Sequence, residues 1–140
     1  MSSNPQGPTG GVTPHLSFPD NRAVEAIAFY EQALGATEFA RMPADDGRRI
    51  MHSHLGINGE SVMLNDCFPE YGENAAWQGA GSATFHLQVD DTDRWFARAV
   101  GAGAEVVMPP ADMFWGDRYA QVRDPFGYRW AFGSPLKGDK

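Results

Sequence analysis

The chain has 140 residues, of which 42% are hydrophobic, 12% aromatic and 21% charged, and 18 acidic against 11 basic side chains give a formal charge of −7. That length suits one compact domain burying roughly two thirds of its unfolded surface, and the composition excludes collagen-like, low-complexity and wholly disordered chains. No run approaches the ~18 apolar residues of a membrane span, no basic-then-apolar secretory signal opens the chain, and an acidic chain lacks the Lys/Arg footprint that nucleic acid demands.

Residues 1–11 hold Pro5, Gly7, Pro8, Gly10 and Gly11 without apolar periodicity and read as a flexible tail; residues 136–140 read as a frayed end. Alternation over Val12–Phe18 predicts a strand whose early part, at Pro14, lies at a sheet edge. Pro19-Asp20-Asn21 is a capping signal for a helix to about Leu34, with Val24, Ile27, Tyr30 and Leu34 at helical spacing and Gly35 as its stop. Strands follow at Thr37–Met42, Arg49–Ile57 and Ser61–Asn65, with Asp46-Gly47 and Asn58-Gly59 as hairpin turns. After a linker over 67–82, a second series begins with a strand at Ala83–Val89. Asp91-Thr92 caps a helix through Val100, and strands follow at Ala104–Met108, Arg118–Arg123 and Arg129–Gly133. Asp124-Pro125-Phe126-Gly127 joins the last two as a turn signature with a structural role.

Both series read βαβββ. His15 and His86 stand 71 residues apart, and Gly59 and Gly127 stand 68 apart. One such unit exposes a sheet face, so duplication closes the core. The expected fold is α+β, two tandem modules (12–66 and 83–135) forming a curved mixed sheet around a cleft. Period-2 geometry buries Leu16, Phe18, Val62, Leu64, Phe85, Leu87, Val89, Trp130 and Phe132 under the helices. The opposite faces carry His15, Ser17, Met63, Asn65, Thr84, His86, Gln88, Arg129 and Ala131. These mixed-polar faces are expected to line a shared cleft, where a small molecule binds.

The paired modules resemble the vicinal oxygen chelate superfamily, which includes glyoxalase I, bleomycin resistance proteins, fosfomycin-modifying enzymes and extradiol dioxygenases. The resemblance covers residues 12–135. Its most specific stretches are Phe114-Trp115-Gly116-Asp117-Arg118-Tyr119, Asp124-Pro125-Phe126-Gly127-Tyr128-Arg129-Trp130 and Val62-Met63-Leu64-Asn65-Asp66, which look most like the PhnB-like branch. Metal-dependent members hold one divalent ion with histidine on the first strand and carboxylate on the last strand of each module. Carried over, those positions are His15, Met63, His86 and Ala131. The histidines match and the carboxylates do not, and the neutral amides of Asn65 and Gln88 do not replace them. The resemblance therefore implies cleft histidines without a complete divalent metal site and no cofactor.

Other residues carry open alternatives. His52 and His54 share a strand face and form either a solvent-facing polar edge or further donors in the cleft. Tyr71, Trp77, Phe114 and Trp115 fall on loops, where rings wall a ligand pocket, plug its mouth or meet a second chain. Arg129 is placed to hold an anionic group, and Arg118 to fix its loop through an ion pair with Asp117 or another carboxylate. The single cysteine, Cys67, excludes a disulfide framework, suits a reducing cytoplasm and has no basic neighbour to activate it. Three functions compete: a homodimeric binding protein that confers antibiotic resistance by sequestration, a metal-dependent lyase, transferase or dioxygenase with His15 and His86 as ligands, and a metal-free enzyme with either histidine as base. The first is the expectation, with His15, Met63, Asn65, His86, Gln88, Trp115 and Arg129 as ligand-binding residues.

Overall fold

The structure, a computed structural model, describes residues 7–136. Most of the proposed N-terminal tail (residues 1–6) and of the C-terminal end (137–140) therefore lies outside the described residues. Twelve elements follow the expected order: β1 (His15–Phe18), α1 (Ala23–Leu34), β2 (Thr37–Pro43), β3 (Ile50–Ile57), β4 (Glu60–Asp66), two single-turn 3-10 helices (Pro69–Tyr71 and Glu73–Ala75), β5 (Thr84–Gln88), α2 (Thr92–Ala102), β6 (Glu105–Asp112), β7 (Asp117–Arg123) and β8 (Arg129–Pro135). They form an α+β fold with two four-stranded mixed sheets, ordered β1-β4-β3-β2 and β5-β8-β7-β6. In each, the first strand runs parallel to the last and the remaining pairs are antiparallel. The chain divides into two compact units, one around β1–β4 and one around β5–β8 with α2.

Register in the first unit places His15 opposite Met63 and Met63 opposite His54. In the second, His86 stands opposite Ala131, which stands opposite Gln121. The alternation sorts largely as expected: Leu16, Phe18, Val62, Leu64, Leu87, Val89, Trp130 and Phe132 are buried, whereas Phe85 is only half-buried and Ala131, on the opposite face, is fully buried. Fully burying side chains of this size contributes about 1.5–3 kcal/mol each. Phe18 meets the Tyr30 ring of α1 at 6.4 Å, and Phe132 meets Trp95 of α2 at 6.1 Å.

Several boundaries depart from the sequence pattern, each for a physical reason. β1 begins only at His15, because Pro14 has no N–H to give; its carbonyl still accepts from the Met63 N–H at 2.9 Å. Asp20 and Asn21 do not cap α1: both adopt left-handed backbone, and α1 has no side-chain bond from its own N-cap, Arg22. The cap comes from the end of the neighbouring strand β4, where buried Asp66, opposite Phe18, accepts the Ala23 N–H at 2.9 Å and the Ile50 N–H at 2.7 Å. α1 buries Ala23, Ala26, Ile27 and Tyr30, while Val24, assigned to its apolar stripe, is exposed. α2 is capped as expected, Asp91 accepting the Arg94 N–H. Asn58 and Gly59 both have positive φ and reverse β3 into β4 as a hairpin turn whose conformation favours glycine.

The stretch from Pro109 to Asp117 is not one long loop. β6 continues to Asp112 despite two prolines, and only residues 113–116 turn, with the Gly116 N–H donating to the Met113 carbonyl. β6 is an edge strand, so the absent proline donors cost no ladder bond on its outer side. The turn after β7 is structural, as the sequence indicated. Asp124, almost fully buried, accepts the N–H groups of Phe126 and Tyr128 and the indole N–H of Trp130 at 2.9–3.0 Å.

Candidate functional site: two polar sheet faces

The face of the first sheet away from its core carries His15, Ser17, Met63, Asn65, Ser61, His52 and His54. Ser17 Oγ donates to Asn65 Oδ1 at 2.7 Å, which fixes the amide next to Met63. His15 is exposed, yet partial loss of hydration holds its imidazole below the ordinary pKa, and repulsion from His52 lowers it further. The solvent-edge reading of His54 is corrected by its burial: it is 1% exposed, with Nε2 hydrogen-bonded to Ser61 Oγ at 2.9 Å. Phe39 crosses the strand and rests on it, ring centroids 5.2 Å apart. Gly56 makes that possible, since a β-carbon there would stand 2.7 Å from the Phe39 ring. Phe39, His54, Gly56 and Ser61, with the Asn58–Gly59 turn, line a cavity of about 180 Å³. Strand alternation places Ser61 on the Met63 face but does not single out Phe39; a β-bulge between Glu38 and Ala40 turns Phe39 onto this face and defeats strict alternation.

The second sheet presents His86, Gln88, Tyr119, Gln121, Ala131, Gly133, Thr84 and Arg129. His86 Nε2 lies 2.8 Å from Gln88 Oε1, and Gln88 Nε2 donates to Asp117 Oδ2 at 3.3 Å. The imidazole stacks on Tyr119, with centroids 6.0 Å apart and planes 12° apart. Trp115 meets Tyr119 edge-on at 5.5 Å, and Phe114, 96% exposed, meets Trp115 edge-on at 5.1 Å. Gln121 Nε2 donates to the Tyr119 hydroxyl at 2.8 Å, which anchors the far end of that ring. Sequence reasoning assigned Tyr119 no role and Asp117 only an ion pair with Arg118; extending the period-2 rule along β7 places both on the face of Gln88.

His86, Gln88 and Trp115 are thus brought into one ring and hydrogen-bond cluster, and His15, Met63 and Asn65 onto one face of the other sheet. Arg129 lies on the His86 face between Thr84 and Arg123 in register and makes no salt bridge among the described residues. Arg118 fixes its surroundings by ion pairs with Asp93 and Asp112 at 3.0 and 2.9 Å, rather than with Asp117. Tyr71 sits in a 3-10 helix, stacked on Phe68, over which the Arg49 guanidinium lies at 4.2 Å. Burial raises the Cys67 thiol pKa, with the Asp66 and Asp20 charges adding to it, which disfavours a thiolate there.

The donors do not fit a divalent centre of the family type. Among the described residues no group of three or more His, Cys, Asp or Glu side chains is placed to hold an ion. Met63 offers a neutral thioether beside His15, Ala131 offers nothing beside His86, and His86 Nε2 is already bonded to Gln88.

Comparison with known proteins agrees with this architecture. Residues 13–132 match the Glyoxalase/Bleomycin resistance protein/Dioxygenase superfamily. An uncharacterized Mycobacterium tuberculosis protein is 44% identical over 130 residues, covering 90% of this chain and 75% of that one. The crystal structure of TioX from Micromonospora sp. ML1 is 29% identical with a TM-score of 0.66, covering 90% of this chain and all of that one. Protein PA1353 from Pseudomonas aeruginosa is 28% identical with a TM-score of 0.72, covering 91% and 98%. With two βαβββ modules and a family match spanning nearly all of its described length, the chain belongs to the glyoxalase/bleomycin resistance protein/dioxygenase superfamily.

Proposed function

We propose that this protein binds a small organic molecule on its polar, ring-bearing sheet faces and does so without a divalent ion. The observation that carries the reading is the pair of residues in register at the second module's metal position: His86, with Nε2 already bonded to Gln88, faces Ala131, which has no donor. What surrounds them suits direct recognition instead. On that same sheet Tyr119, Trp115 and Phe114 offer ring contact and Gln88 a hydrogen bond; the first unit's own polar face, described by itself, offers hydrogen bonds from His15 and Asn65. Arg129, with no carboxylate partner in the described structure, takes an anionic substituent when the ligand has one. The motif spanning Phe114–Tyr119 supports a place in the PhnB-like branch. In this reading the protein is a cytoplasmic homodimer that protects by sequestering an antibiotic-like compound. Among the described residues no helix is long and apolar enough to cross a membrane.

The test is calorimetric titration with a panel of aromatic compounds that includes glycopeptide-type drugs. Saturable binding is expected, weakened about tenfold in Trp115→Ala, the equivalent of about 1.4 kcal/mol of ring contact. No binding across the panel contradicts the reading. Light scattering at micromolar concentration tests the dimer, and a species of one chain's mass refutes it.

A further inference from the structure

The polar contacts around His86 fix more than its position. Asp117 is a carboxylate and only accepts, so Gln88 must turn its NH2 toward it, as the 3.3 Å contact shows. That leaves Gln88 Oε1 facing His86 Nε2 at 2.8 Å. An oxygen there accepts, so Nε2 must carry a hydrogen. Flipping the amide would set its oxygen against the carboxylate and lose the bond to Asp117, so the carboxylate is what selects the orientation in which Nε2 donates. Tyr119 stacked on one side and the bare backbone of Gly133 below hold the ring in this pose.

We infer that Asp117, acting through Gln88, locks neutral His86 as its Nε2–H form and presents Nδ1 as a hydrogen-bond acceptor to the ligand. The position where the family's metal-dependent members hold a metal ligand is here a fixed organic acceptor. Its ligand is a flat ring compound bearing an N–H or O–H donor, able to lie against the Trp115 and Tyr119 rings while that donor reaches His86. Gln88 and Asp117 are positioning residues. The inference deepens the binding function proposed above and rests on it for the ligand, though not for the state of the ring.

Two measurements on the full chain test it. The first needs no ligand: nitrogen-detected two-bond NMR correlations of His86 at a pH where the ring is neutral. The expected pattern is the Nε2–H form alone, with the Nδ1–H form appearing in Asp117→Asn and in Gln88→Leu. The Nδ1–H pattern in the native chain, or no response to either substitution, overturns the lock. The second compares indole with 1-methylindole, which keeps the ring and loses the donor. Indole is expected to bind several-fold more tightly, and His86→Phe to abolish that preference. Equal binding of the two probes overturns the acceptor role while leaving ring binding standing. No response at His86 to either probe contradicts both the acceptor role and the proposed ligand-binding function.

Discussion

Gly133 runs so close beneath His86 that a β-carbon on it would stand 2.8 Å from the imidazole Cε1 and 3.1 Å from Nε2, with Gln88 Oε1 at 3.2 Å. The backbone there needs no left-handed conformation; what it needs is space. Gly133→Ala is therefore expected to fold, because the colliding atoms belong to side chains on an accessible face. It is expected to displace the His86–Gln88 pair and weaken ring-ligand affinity about tenfold, with thermal stability falling by about 1–2 kcal/mol. Titration calorimetry beside thermal melts checks this, and unchanged affinity would show that the pair does not contact ligand.

His15 gives a pH dependence whose sign follows from its environment. Its folded pKa lies below the ordinary 6.5, so the folded protein binds this proton less readily than the unfolded chain. The associated stability is complete above pH 6.5 and is lost as pH falls from 6.5 through the folded pKa. Replacing it by His15→Gln is expected to shrink the loss of urea stability between pH 7.5 and 5.5. Proton NMR titration should place the His15 midpoint below 6.5 and show it rising in His52→Ala, which removes the like charge. A midpoint at or above 6.5 in the native chain contradicts this.

Asp66 joins two elements that the sequence lists as distant, the start of α1 and the start of β3. Asp66→Ala leaves the Ala23 and Ile50 N–H groups buried without an acceptor, each costing about 1–3 kcal/mol. A loss of about 2–6 kcal/mol is expected from urea unfolding. Asp66→Asn, which keeps one acceptor oxygen, should lose about half as much. A cost below 1 kcal/mol for the alanine variant would mean water replaces both bonds.

These residues also mark what was legible in the sequence. Strand alternation was enough to separate Leu16 and Phe18 from His15 and Ser17, because a period of two leaves each strand one buried face. The repeat and the Asn58–Gly59 turn were equally plain, since their signals are local. The tertiary cap from Asp66 was not, and Asp20-Asn21 looked like a better one. Phe39 was hidden by a bulge, and the burial of His54 depended on Phe39 covering it. Gln88 and His86 were both named, but the bond between them is set by Asp117, 29 residues away. Contacts closed by a distant strand leave no periodic trace.

The most direct measurement of metal-free recognition is the affinity of the tightest-binding member of the aromatic panel, taken before and after exhaustive chelation and again after adding back zinc, manganese or nickel. The same dissociation constant in all three states, with no stoichiometric metal in protein purified without chelator, is the expected result. Binding or turnover that disappears on chelation and returns with one ion per chain would contradict it.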